Sequence, residues 1–173
     1  MPTPNTIASK DLMLLELMDK VEALEKKCND IPKLKIHYHR DKYKDFTYKI
    51  ETHGNYYDLA AATRVELKAG EYYQIPLGVS IYLPDGYYAI VCPRSSTFKK
   101  YGLLQANSIG IIDTEYRSLK DEYFLAVYAT RDIVIESNTR LAQFTIFKNT
   151  DFSINEEEYW EEAERGGFGS TGN

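Results

Sequence analysis

From Asn55 onward, apolar and aromatic residues come in runs of seven or fewer, at 56–62, 71–76, 78–83, 87–92, 123–129, 132–136 and 141–147. Turn signals separate them, among them Lys68-Ala69-Gly70, Pro84-Asp85-Gly86 and Ser137-Asn138. Runs this short cannot make helices of ordinary length, and their regular spacing predicts a jelly-roll or barrel rather than β-α-β units. Fifteen tyrosines lean the same way, because aromatic side chains fit a pleated, half-buried surface. With 173 residues and a hydrophobic fraction of 43%, the chain has material for one core and a short appendage.

Charge and composition exclude several classes of function. A net charge of −5 provides no basic face for neutralising nucleic-acid phosphates, so no nucleic-acid partner is expected. No apolar run approaches the ~20 residues that span a bilayer, and the N-terminus has no signal-peptide pattern; a cytoplasmic protein without a membrane partner is expected. Cys28 and Cys92 lie far apart without metal-ligand spacing, which reads as reduced thiols.

Residues 9–28 predict a helix with Ser9 as N-cap and Asp11 in the first turn. Leu14, Leu17, Val21, Leu24 and Cys28 recur at spacings of 3, 4, 3 and 4, the seam of a coiled coil, flanked by Lys20, Glu22, Glu25 and Lys27. Two heptads fit a self-association helix or an amphipathic helix packed on its own domain. The segment Asn29-Asp30-Ile31-Pro32 ends it, since a residue before proline leaves the helical region. Residues 33–50 alternate and predict one or two strands. His37 and His39 share a face there and, without further ligands nearby, read as an exposed strand face rather than a metal site.

Three segments carry chemistry. The stretch 107–117 sets Asp113 directly after Ile111-Ile112, with Tyr116 three residues on. A strand would hold that carboxylate rigidly among apolar neighbours, as a general base requires, and Gly110 would let backbone approach a ligand; a plain hairpin is the other reading. Pro93-Arg94-Ser95-Ser96-Thr97 offers a guanidinium fork beside three hydroxyls at a strand exit, suited to a phosphate or to an ordinary polar turn. Arg140-Leu141-Ala142-Gln143 opens another strand, from which the Gln143 amide would reach a ligand at the sheet edge. The acidic run 156–164 leads to Arg165 and the glycine-rich end 166–172, a backbone able to wrap an anion, with Phe168 able to stack on a base; a disordered end is the plainer reading.

Together these segments resemble the five ordered motifs of the trimeric dUTPase (dUTP diphosphatase) family, from about Lys33 to the C-terminus. The five are Tyr57-Asp58-Leu59 with Leu77-Gly78-Val79, PRSS at 93–96, Asn107 to Arg117, Arg140 to Gln143, and GGFGSTG at 166–172. The resemblance implies an all-β, jelly-roll or β-barrel protomer with an added N-terminal α-helix, assembled as a homotrimer. Its expected divisions are a helix at 1–32, a β domain at 33–155, and an acidic linker with a glycine-rich arm at 156–173 that closes over a neighbour's active site. It also implies hydrolysis of dUTP to dUMP and diphosphate with Mg²⁺. Asp113 would activate the water that attacks the α-phosphorus. Asp58 would support the metal through water. Tyr116 would pack under the deoxyribose, leaving no room for a 2′-hydroxyl. The implied nucleotide-binding set is Arg94, Ser95, Ser96, Asn107, Gly110, Ile112, Tyr116, Phe124, Gln143, Arg165, Gly167, Phe168, Ser170 and Thr171.

Two departures from the family pattern stand out. Ala163-Glu164 occupy the place where Arg-Gly usually begins the last motif, and Ser118 replaces the usual Gly after Tyr116-Arg117, followed by a longer loop, Leu119 to Glu122. Both resemble a branch found in Gram-positive bacteria and their phages, where the aromatic lid over uracil can come from the position of Phe124 instead of Phe168. A dCTP deaminase shares the fold and an Arg-Ser-Ser segment but not the GGFGSTG ending. Some phage members of the family bind repressor proteins, so a regulatory partner is a further expectation for a phage-encoded chain.

Overall fold

The computed structural model describes residues 4–29, 32–150, 152–154 and 156. The N-terminal helix, α1, runs from Pro4 to Asn29. It begins five residues before the expected N-cap, so Ser9 lies inside it; proline at the first helical position suits a start there. The strands follow in chain order: β1 (Lys35–Tyr38), β2 (Thr52–His53), β3 (Tyr56–Ala60), β4 (Val65–Leu67), β5 (Tyr72–Pro76), β6 (Val79–Tyr82) and β7 (Tyr87–Pro93). A five-residue helix, α2 (Thr97–Tyr101), precedes β8 (Leu103–Gln105), β9 (Gly110–Ile112), β10 (Phe124–Ala129), β11 (Ile133–Ile135) and β12 (Arg140–Lys148).

Every strand pair is antiparallel. The largest sheet has the order β2-β3-β12-β7-β9, with β12 at its centre. The others are β5-β10-β8, β1-β6 and β4-β11. Alternation decides which residues face inward: along β10, Leu125, Val127 and Ala129 are buried while Phe124 and Tyr128 are exposed. The inward faces meet in one core built on Leu59, Ile75, Ile81, Leu125, Leu141 and Phe144, and Tyr57 stacks on Phe144 with ring centroids 5.0 Å apart. The expected all-β domain with an added helix is therefore what the chain forms.

Residues 33–50 yield one strand, not two. After Tyr38 pairs with Val79, the chain turns back through hydrogen bonds from Arg40 N to Tyr38 O and from Tyr43 N to His39 O. Phe46 then enters the core, and the following backbone is satisfied by side chains instead of a ladder. Asn138 Oδ1 accepts from Thr47 N and Tyr48 N, both at 2.8 Å, and the Tyr38 hydroxyl accepts from Ile50 N at 3.0 Å. Gly78 carries the close approach that this packing needs. Its φ is +65°, and a Cβ there would lie 2.7 Å from the Phe46 ring and 2.8 Å from Ala62 Cβ.

Candidate functional site

Asp58, in the middle of β3, pairs in register with Gln143 on β12, which pairs on its other side with Cys92 on β7. Directly opposed residues point to the same face, so the three side chains form a row across the sheet. Gln143 Nε2 lies 3.7 Å from Sγ of Cys92, a free thiol. Two residues past Cys92, Arg94 brings Nε to 2.9 Å from Asp58 Oδ1, and Arg140 at the start of β12 places Nη1 3.0 Å from Oδ2. The carboxylate is thus held from both sides by guanidinium groups. Sequence reading gave Arg140 no role of its own; the signal was its place in the same motif as Gln143.

Beyond Arg94 the expected run of hydroxyls divides. Thr97 is buried, opens α2 and donates from Oγ1 to Leu141 O at 2.6 Å, so its hydroxyl belongs to the fold and not to a phosphate. Ser95 is exposed, and the hydroxyl of Ser96, at the start of α2, makes no capping bond. Arg94, whose Nε is engaged by Asp58, thus stands with Ser95, Ser96 and Gln143 where β7 and β12 adjoin, a guanidinium and short polar donors of the kind an anion takes.

The second group runs along β7 from Val91 to Tyr87, with Asp113 toward the Tyr87 end. β9 pairs with β7 through Gly110↔Val91 and Ile112↔Ala89, and Thr114 Oγ1 donates to Tyr87 O at 2.5 Å. Gly110 allows a close approach, but to β7: a Cβ there would meet Val91 Cβ and Val91 O at 3.3 Å. Asn107 accepts at Oδ1 from Gln105 Nε2 at 3.0 Å, and the same amide reaches Val91 O at 3.3 Å. Gln105, which sequence reading missed, thereby orients Asn107. Ile112 packs against the core whereas Ile111 is exposed. Asp113 follows at the strand end, exposed rather than sheltered among apolar neighbours, and its Oδ1 accepts from Glu115 N at 3.0 Å.

Tyr116 stands just past that turn. Its hydroxyl donates to Glu122 O at 2.8 Å, its ring lies 6.2 Å from that of buried Tyr123, and burial pushes its phenol pKa up, which keeps it a donor. The loop that presents Glu122 is closed by Ser118 N donating to Asp121 Oδ2 at 2.7 Å and pinned by the Lys42–Glu122 ion pair at 2.7 Å. Phe124, two residues on, is 40% exposed at the head of β10, with Lys42 Nζ 6.0 Å from its ring centroid. So Asp113, Tyr116 and Phe124 share one neighbourhood.

Asp113 and Arg94 do not meet within one chain. Ile112 sits opposite Ala89, so Asp113 is level with Tyr88, six residues before Arg94, and at ~3.3 Å per residue the strand separates the two by roughly 20 Å. Among the described residues no cluster of three His, Cys, Asp or Glu could hold a metal. His37 and His39 touch edge-to-face at 4.9 Å, and His39 Nε2 is bonded to Ser80 Oγ at 2.8 Å. Arg165, Gly167, Phe168, Ser170 and Thr171 lie outside the described residues.

Comparison with known proteins decides the family. The dUTPase family model matches residues 42–172, a span that includes every candidate site residue from Asp58 to Thr171. The chain belongs to the dUTPase family. A relative in Bacillus subtilis (strain 168), the SPbeta prophage-derived deoxyuridine 5′-triphosphate nucleotidohydrolase, is 43% identical over 120 residues, covering 69% of this chain and 84% of its own. The deoxyuridine 5′-triphosphate nucleotidohydrolase of Rickettsia bellii (strain OSU 85-389) is 43% identical over 119 residues, covering 66% of this chain and 79% of its own. Among solved structures, the Streptococcus mutans dUTPase superposes with a TM-score of 0.61 at 27% identity, over 68% of this chain and 98% of that one. The dUTPase from phage phi11 of S. aureus, whose structure describes the coordination of a structural Mg(II) ion, has a TM-score of 0.63 at 18% identity, over 75% and 99%. That last likeness is one of fold.

Proposed function

We propose that this protein hydrolyses dUTP to dUMP and diphosphate, in sites that each combine residues of more than one chain of a homotrimer. The observation that carries the reading is the dUTPase match over residues 42–172. The separation of the two residue groups along β7 supports shared sites: a triphosphate gripped beside Asp58 in one chain needs its base and sugar supported by the Asp113 neighbourhood of another. Exposed apolar side chains in the β domain, such as Tyr73, Leu104, Ile111 and Val134, supply surface for such an interface.

In this reading Arg94, Ser95, Ser96 and Gln143 bind phosphate oxygens, while Asn107, Gly110 and Ile112 face the uracil. Tyr116 lies under the deoxyribose with its hydroxyl anchored on Glu122, and fills the space that a 2′-hydroxyl would need. Asp113 takes a proton from water, whose oxygen forms a bond to the α-phosphorus as the bond from that phosphorus to the bridging oxygen breaks, releasing diphosphate. Phe124 or Phe168 covers the base, and Arg165, Gly167, Ser170 and Thr171 close from a neighbour's tail.

The donor set fits Mg²⁺. One carboxylate, Asp58, is offered on the phosphate side, which suits a cation that takes most of its oxygens from phosphates and water. Asp58 would hold it through water, with Arg94 and Arg140 fixing the carboxylate's position. When bound, the ion neutralises charge that develops on the phosphates.

Asp113→Asn tests the base assignment. Turnover of dUTP should fall by about 100- to 10,000-fold, the usual worth of a general base, with nucleotide binding largely retained. Turnover like that of the unaltered protein would remove Asp113 from that role.

A further inference from the structure

Helix α1 plays no part in the chemistry proposed above, and it lies outside the span matched by the dUTPase model. Every described side chain from Leu12 to Leu24 is exposed, including Leu14, Leu17 and Leu24 at 56%, 59% and 64%. An apolar stripe of this size is not left to water, and a lone helix gains little from propensity. Something covers it.

We infer that α1 pairs with α1 of the two other copies in the trimer, as a short parallel three-stranded coiled coil. The inference rests on the trimer in the proposed function. The occupant is identified by two observations: Leu14, Leu17, Val21 and Leu24 alternate by three and four, the period of a seam read by an identical helix, and the described side chains from Leu12 to Leu24 are exposed instead of packed on the chain's own sheets. In that lettering Leu14 and Val21 are a positions and Leu17 and Leu24 are d positions. Met13 and Met18 then fall at g and e, next to the seam, and both are exposed. Apolar flanks widen the face beyond what a two-stranded pair covers and suit a third helix. The next g position is Lys20, and the e position it meets on an in-register neighbour is Glu25, of opposite charge in the sequence. Antiparallel pairing would forfeit that match.

The seam is too short to drive association alone, but it does not have to. Residues 30–34 link each helix to β1 and reach at most ~17 Å, so a trimer holds three copies at a local concentration on the order of millimolar. The helices add to an assembly that the β domain has already made.

Disulfide trapping in the full-length chain tests this, with Cys28→Ser as background. Leu24→Cys puts a thiol on the seam, and Glu22→Cys puts one on the outer face. The mass in solution is measured alongside by light scattering. A mass of three chains, with seam thiols linking two chains and leaving the third unpaired about tenfold faster than outer-face thiols, is the expected result. A trimeric mass with equal or absent linkage at the two positions would overturn the coiled coil and leave the trimer standing. A monomeric mass would overturn both. Leu17→Glu with Val21→Glu is the second arm. Glutamate is a good helix former, so loss of the far-ultraviolet helical signal from a still trimeric protein would report lost packing between helices. An unchanged signal would mean the seam does not hold α1.

Discussion

Tyr116 shows how one side chain turns loop geometry into selectivity. Its hydroxyl is tied to Glu122 O, and the Lys42–Glu122 ion pair fixes the loop that supplies this carbonyl. Shortening it should open space beneath the sugar. Tyr116→Ala is expected to lower the preference for dUTP over UTP, as a ratio of kcat/KM values, by about 10- to 200-fold, the range for filling or emptying a small pocket. An unchanged ratio would place the discrimination elsewhere. His39 makes a separate claim about pH. Burial lowers its pKa below 6.5, outweighing the nearby Glu122 carboxylate. The unfolded chain therefore binds more protons than the folded one between the lowered pKa and 6.5, so stability rises with pH across that window and declines as pH falls below 6.5. Urea unfolding at several pH values should show this slope, and His39→Gln should flatten it; an identical slope in the variant would assign the titration to another group. At this scale the sequence singled out Asp113, Tyr116 and the Arg94 segment, and the structure places Tyr116 on the turn after Asp113 and Arg94 beside Asp58. The clasp on Asp58 was not legible in the sequence, because Arg140 stands 82 residues away and only the β3-β12 register brings the two together. Nor was the exposure of Asp113, which depends on where β9 ends.

At the scale of elements, the stretch before β6 bears the tightest constraint. The backbone at Gly78 has positive φ and its α-carbon lies against Phe46 and Ala62, so Gly78→Ala combines strain with overpacking in the core. A loss of about 2–4 kcal/mol of unfolding free energy in urea is expected. A change under about 0.5 kcal/mol, as for an ordinary surface substitution, would show that Phe46 yields freely. The same scale explains which elements could be read in advance. Runs such as 87–92 and 141–147 carry enough apolar residues to declare β7 and β12. Val65–Leu67 and Leu103–Gln105 are three residues each, too short for alternation to be recognised, and they become strands only because β11 and β10 lie alongside. Helix α2 likewise has no periodicity of its own; buried Thr97, bonded to Leu141 O, holds it in place. Of the one or two strands expected in 33–50 the chain forms one, because Asn138, some ninety residues on, supplies the hydrogen bonds that a second strand's partner would have provided.

For the whole molecule, the spacing between the phosphate-side and sugar-side groups is the central feature. The protomer sets Arg94 and Asp113 about 20 Å apart along β7, and in the proposed function a neighbouring copy joins them. The ordered motifs pointed to that chemistry from sequence, but the distance between half-sites is set by strand register and was not visible there. The most direct measurement is diphosphate release from dUTP, with dCTP, dTTP and UTP in parallel and with and without Mg²⁺. Fast, Mg²⁺-dependent release from dUTP, with little from the other three, is the predicted result. Ammonia from dCTP, or no reaction with any of the four nucleotides, would contradict it.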